Sequence, residues 1–270
     1  MSGALRRVSL RRSWYDQILN VAFPPVCLHC KAETLSHNAL CATCFAETER
    51  ISPPFCHGCA APLPAVEHLN QNHLCIYCQN SPPPWSAARA AFIFGDVTQS
   101  LIFDLKYGDR TEVATFFADA MMRHGAALLS DADLIAPVPL HWRRLLRRKF
   151  NQSAIIAQSL CRIHAAPLQC VPDLLKRIRH TGALARLGPD ARMEKVREAI
   201  TLNPRYRKMV QGRRVILVDD ILTTGATLSI CSQRLLDAGA AAVSILVATR
   251  SGRHILPFAH KIHGFIDAED

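Results

Sequence analysis

The residues best suited to chemistry lie in Val215-Ile216-Leu217-Val218-Asp219-Asp220-Ile221-Leu222-Thr223-Thr224-Gly225-Ala226-Thr227. Four consecutive apolar residues, mostly β-branched, predict a strand buried on both faces of a parallel sheet, and two carboxylates and a small-residue loop follow it. Leu228, Ile230, Cys231, Leu235 and Leu236 then repeat at near-helical spacing up to Gly239, so the loop opens a helix. Backbone N–H groups from Thr223 to Thr227 would point at one anion, aided by the positive helix end, the threonine hydroxyls and the close approach that Gly225 permits. A phosphate fits that description. Asp219 and Asp220 stand too near the loop to hold the same phosphate and suit the hydroxyls of a sugar diol. The plain alternative is a buried strand and an ordinary turn; acids, threonines and a glycine in register behind an apolar strand favour a ligand site.

The cysteines form a second constellation. Eight of the eleven fall in four Cys-x-x-Cys pairs: Cys27/Cys30, Cys41/Cys44, Cys56/Cys59 and Cys75/Cys78. Two residues between thiolates let both face one tetrahedral ion, and two pairs complete a structural Zn²⁺ site closed to water. Two zinc ions are therefore expected. Taken in order, Cys27, Cys30, Cys41 and Cys44 hold the first and Cys56, Cys59, Cys75 and Cys78 the second, although spacing alone leaves a crossed pairing open. Disulfides are the alternative; the reducing compartment inferred below favours zinc. His29, His57 and His73 lie beside the thiolates but find each ion already saturated, and read as knuckle residues. The segment is too small for a good core of its own, so metal binding should supply much of its folding free energy.

The chain has 270 residues, enough for a moderate domain plus a small stapled module. Its 32 basic and 22 acidic residues give a net charge of +10, which favours phosphate-rich or nucleic-acid partners. No apolar run is long enough to cross a bilayer, so no membrane span is expected. Arg6, Arg7, Arg11 and Arg12 precede no long apolar stretch, so a secretory signal is not expected and a cytoplasmic address follows.

These considerations divide the chain into a basic tail with a short helix near Trp14 to Val21 (1–22), a cysteine-rich segment (23–80), a Pro-rich linker (81–89) and an α/β domain (90–270). Within the last, strands are expected at Ala90 to Phe94, Leu134 to Leu140, near Leu168 to Val171, in the signature stretch and at Val243 to Ala248. Helical patterns over Val97 to Leu105 and Thr111 to Leu129 lie between the first two. Alternation of this kind makes a parallel sheet flanked by helices the default, with ligands at the carboxyl ends of its strands. Cys161, Cys170 and Cys231 read as small buried apolar residues.

Residues 215–227 resemble the phosphoribosyl-diphosphate (PRPP) signature of type I phosphoribosyltransferases. The resemblance implies that Asp219 and Asp220 hold the ribose hydroxyls while Thr223, Thr224, Gly225, Ala226 and Thr227 cradle the 5′-phosphate. Over Phe23 to Arg250 the order of motifs is similar to the ComF family. These are the cysteine module, Lys106-Tyr107-Gly108, Pro137-Val138-Pro139-Leu140, a basic run closing on Phe150-Asn151-Gln152, Arg177 to Thr181, and the PRPP signature. That family joins a double zinc ribbon to a phosphoribosyltransferase-like domain, with members tied to DNA uptake in natural competence. The resemblance thus implies PRPP or a related ligand with Mg²⁺, with pyrophosphate near the loop after Pro137 to Leu140. Arg143, Arg147, Lys176 and Arg179 are candidates to reach it, or else form a solvated basic face.

The chain departs from the family pattern in several places. Lys149 stands where members carry Gly before Phe-Asn-Gln, and Leu184, Lys195 and Glu198 replace Gln, Asn and Gly in and just past the segment Lys176 to Arg197, which would be the hood over the site. The binding floor is complete, and the hood is altered. Pentosyl transfer would pass through an oxocarbenium-like state and needs no side-chain nucleophile. Two further readings fit the same residues. One is a single-stranded DNA-binding protein that uses Arg143 to Lys149 with Trp142 and Phe150. The other is a scaffold whose zinc ribbon docks a DNA-uptake or helicase protein.

Overall fold

A computed structural model describes residues 23–165, 168–178 and 199–252. The expected helix near Trp14 to Val21, together with Arg179, Thr181, Leu184, Lys195 and Glu198, lies outside the described residues. The chain separates into two compact units at Ala46/Glu47. In the first, Cys27 N–H donates to Ala32 O and Leu28 N–H to Ala39 O, folding two tight loops that precede helix α1 (Ala42–Ala46).

The second unit begins with the other four cysteines of the Cys-x-x-Cys series and a short helix α2 (Ile76–Asn80), then forms an α/β sheet. Its elements are β1 (Ala87–Ile93), α3 (Asp96–Tyr107), α4 (Glu112–Ser130), β2 (Leu134–Pro137), α5 (Trp142–Arg148), α6 (Gln152–Ile163) and β3 (Gln169–Cys170). After them come β4 (Leu175–Arg177), β5 (Ile200–Leu202), α7 (Arg207–Val210), β6 (Arg214–Leu222), α8 (Ala226–Asp237) and β7 (Ala242–Arg250). Five strands pair in the order β1-β7-β6-β2-β3, all parallel, as the continuous apolar runs require when helices cover both faces. Val243, Ile245 and Val247 of β7 join Leu228, Cys231 and Leu235 of α8 in one core cluster. On the other face Leu246 meets α4 at Gly125, where a Cβ would stand 2.7 Å from the leucine.

Three elements differ from expectation. β1 starts at Ala87, inside the stretch read as a linker, because Ser86 N–H already donates to Val243 O and Trp85 is buried in the core. β6 does not stop before the two acids but pairs with β7 through them as far as Leu222 and Arg250. The antiparallel pair β4/β5 has no counterpart among the expected strands, because three-residue strands are too short to show a period. Among the described residues no helix is long and apolar enough to cross a membrane.

Candidate ligand floor and metal centres

Although β6 continues through the acids, each carboxylate finds its own partner. Ser153 Oγ, in the first turn of α6, donates to Asp219 Oδ1 at 2.8 Å, and Asp220 N–H donates to the same oxygen at 3.0 Å. Lys106 Nζ, near the end of α3, lies 3.2 Å from Asp220 Oδ2. Burial and the neighbouring Asp220 charge push the Asp219 carboxyl up to about 7, against the opposing pull of Ser153, the Asp220 N–H and Lys106.

Ser153 is aimed by the turn before it. Asn151 caps α6 by accepting from Ser153 N–H at 3.1 Å, and its Nδ2 donates to Val138 O at 2.9 Å, which ties the helix start to the end of β2. Val138 N–H in turn donates to Val218 O, so the ends of β2 and β6 are held together. Beyond Leu222 the chain turns through Thr223 and Thr224 into Gly225, whose φ of 76° is the left-handed conformation that glycine favours. Gly225 caps a twelve-residue helix, leaving the N–H groups of its first turn directed at the floor. Ala226 N–H also points at Thr224 Oγ1 at 3.4 Å.

The predicted basic residues are spread over two elements. Arg143 and Arg147 are exposed on α5, with their guanidinium groups 5.3 Å from the Trp142 ring and 5.8 Å from the Tyr107 ring. Lys176 is exposed on β4. Arg148, not singled out by the sequence, is buried under Tyr107 and donates to its hydroxyl at 2.7 Å. Lys106 and Asn151 enter the sequence reading only as members of motifs, and Ser153 stands one residue past one of them. A helix start marks Asn151 as the cap, whereas nothing local pairs Ser153 or Lys106 with an acid far along the chain.

The eight cysteines gather in sequential, not crossed, groups: Cys27, Cys30, Cys41 and Cys44, then Cys56, Cys59, Cys75 and Cys78, each with all ligand atoms within 4.8 Å of one another. Cys30 and Cys41 Sγ atoms are 3.6 Å apart and those of Cys59 and Cys75 3.9 Å, near the ~3.8 Å edge of a tetrahedron with Zn–S bonds of about 2.3 Å. Two four-cysteine sites thus fit two structural zinc ions. Mutual hydrogen bonding, led by the Cys56–Cys59 contact, drives the Cys56 thiol far below its ordinary range and Cys59 far above. A dication at the centre of the group would hold all four as thiolates and offset their mutual repulsion. His57 stacks on His73 at 4.8 Å, consistent with a knuckle role. Of the remaining cysteines only Cys231 is fully buried; Cys161 and Cys170 are half-buried.

Fold and site define a double zinc ribbon joined to a parallel α/β sheet domain. A family model described as a double zinc ribbon domain matches residues 18–80. The chain is 31% identical over 236 residues to the DNA utilization protein YhgH of Escherichia coli K12, covering 84% of this chain and 98% of that protein. It is 28% identical to competence protein F of Haemophilus influenzae, covering 81% and 94%, and 26% identical to competence protein ComFC of Bacillus subtilis, covering 60% and 64%. The chain belongs to the ComF family. Among solved structures, the glutamine PRPP amidotransferase of B. subtilis with ADP and GMP aligns at a TM-score of 0.36 and 20% identity, over 53% of this chain and 30% of that one.

Proposed function

We propose that the chain binds PRPP, or a related ligand carrying ribose 5-phosphate, at the carboxyl end of β6, and that it acts in DNA uptake or handling. One observation carries the binding reading: an anchored carboxylate pair runs directly into a left-handed Gly225 turn that opens a helix. The N–H groups of that turn and the threonine hydroxyls would hold the 5′-phosphate. Asp219 and Asp220 would accept from the ribose hydroxyls, with Lys106 yielding part of its contact to the ligand. Both acids already have protein partners, so Mg²⁺ would arrive on the ligand's pyrophosphate, keeping several waters, rather than sit in a protein cage. Arg143, Arg147 and Lys176 are proposed for the pyrophosphate side. The process follows from the names of the relatives, which concern DNA utilization and competence.

Calorimetric titration of the zinc-loaded protein with PRPP and Mg²⁺ tests this reading. Hydrogen bonds to a charged acceptor contribute about 1.5–3 kcal/mol each, so Asp219→Asn/Asp220→Asn should weaken binding at least about tenfold. Absence of binding heat in the wild type sinks the proposal. If the ligand binds, pyrophosphate release with candidate acceptor bases reads out pentosyl transfer.

A different observation favours a second reading, direct contact with single-stranded DNA. Trp142 and Leu146 are 53% and 73% exposed on α5 beside the exposed Arg143 and Arg147, giving a stacking platform among cations. Substituting Trp142, Arg143 and Arg147 by Ala should abolish salt-sensitive oligonucleotide binding that the double Asp→Asn variant retains. Loss in both variants would assign DNA to the floor instead.

A further inference from the structure

We infer that Arg250 is a positioning residue that makes the Thr223–Thr227 loop depend on the second zinc cluster, so that the ligand floor is assembled only while that cluster is loaded. The proposal takes the loop as the phosphate floor, as above, and adds what holds it in shape. Arg250 ends β7 and is 4% exposed. Its Nε donates to Cys59 O at 3.0 Å, and its Nη1 donates to Leu222 O and Thr223 O at 3.0 Å each and also to Ser251 O. Ser251 N–H adds a bond to Leu222 O at 3.0 Å. No ion pair among the described residues includes this guanidinium, so neutral carbonyls stabilise a buried cation. Such an arrangement holds only if every acceptor keeps its place, because losing one leaves a desolvated charged donor unpaired.

Cys59 O is the acceptor that the metal controls. The knuckle Cys56-His57-Gly58-Cys59 presents three consecutive carbonyls to the sheet: His57 O accepts from Ala88 N–H at 2.7 Å, Gly58 O from Trp85 Nε1 at 2.7 Å, and Cys59 O from Arg250. The same knuckle is crowded, since a Cβ at Gly58 would stand 3.0 Å from Cys78 Sγ. With zinc bound, Cys56 and Cys59 Sγ fix the turn and thereby its carbonyls. Without zinc, a segment with little core of its own loses the constraint that aims them. Arg250 then keeps the Leu222 and Thr223 carbonyls but loses its far anchor, and the loop that begins at Thr223 loosens. The coupling is reciprocal: a ligand that tightens the loop must also slow zinc loss from this cluster.

Backbone amide hydrogen exchange on the zinc-loaded full chain tests the link without needing any ligand. Arg250→Lys keeps the charge but cannot bridge Cys59 to Leu222 and Thr223. It should speed exchange at residues 223–229 and 56–61 by about tenfold or more. If the variant folds poorly, stepwise chelation of the wild type, followed by native mass spectrometry, supplies the same test. Exchange at 223–229 should rise at the step where 56–61 opens. Opening of 56–61 with no change at 223–229 overturns the inference. Ribose 5-phosphate should also slow release of the second zinc in the wild type and not in Arg250→Lys. Calorimetric silence with PRPP, by contrast, would remove the ligand reading and leave the exchange result standing.

Discussion

The cluster of Cys27, Cys30, Cys41 and Cys44 and that of Cys56, Cys59, Cys75 and Cys78 are built from the same paired thiolates, yet their surroundings differ. Cys30 is exposed and Cys41 half-buried in the first, whereas all four ligands of the second are buried. The first sits in a unit where Cys27, Leu28, Lys31, Thr34 and Phe45 N–H groups donate to carbonyls within eleven residues along the chain. The second shares its unit with the sheet, and Ala60, one residue past its knuckle, belongs to the same core cluster as Trp85, Leu217 of β6 and Ile245 of β7. One cluster therefore folds a small module, and the other also fastens a strand, an indole and a buried arginine.

The largest effect that could break this contrast is on stability. Cys59→Ser should remove one zinc and lower the thermal midpoint of the sheet unit by about 8–16 °C, on the basis of about 4 kcal/mol for a lost structural metal site and about 2–4 °C per kcal/mol for a unit of this size. Cys30→Ser should remove the other zinc with a far smaller shift in that transition. Equal shifts in calorimetry would show that the two sites are structurally equivalent after all. Kinetics sharpen the same point: a chelator should strip the exposed first cluster before the buried second, giving a one-zinc species by native mass spectrometry.

Burial acts on carboxylates as it does on thiolates, and Asp219 provides a pH test. Its carboxyl is raised to about 7 in the fold from an ordinary 3.8, so the folded state binds more protons than the unfolded one between those values. Its contribution to stability is complete below about 4 and is lost as pH rises through about 7. Asp219→Asn should flatten that part of the stability profile. If the ionised carboxylate accepts from a ribose hydroxyl, affinity for PRPP should strengthen over the same rise in pH, and a flat profile would remove Asp219 from the binding role.

The smallest expected effect is at the surface. Lys149, which takes the place of the family's glycine, ends α5 with φ of 64°, in the left-handed region, and pairs with Asp109 across the surface. Lys149→Gly should raise stability by about 0.5–1 kcal/mol, measured by denaturant midpoint, because glycine adopts that conformation without strain and an exposed ion pair contributes little. A loss of stability instead would mean that the pair with Asp109 outweighs the backbone strain.

Sequence alone determined the parallel α/β arrangement, the turn at Gly225 and the eight metal ligands, because each depends on spacing along the chain: period, small-residue loops and Cys-x-x-Cys pairs. The sequential pairing of the cysteines came from the folded arrangement, since both pairings satisfy the same spacing. The tertiary structure also extended β6 through Asp219 and Asp220, because pairing with β7 continues to Arg250 and overrides the local look of a strand end. Lys106, Ser153 and Arg250 acquired their partners in the same way. Their contacts with Asp220, Asp219 and Cys59 cross long stretches of chain, and no local pattern encodes which distant group a cation or hydroxyl will meet.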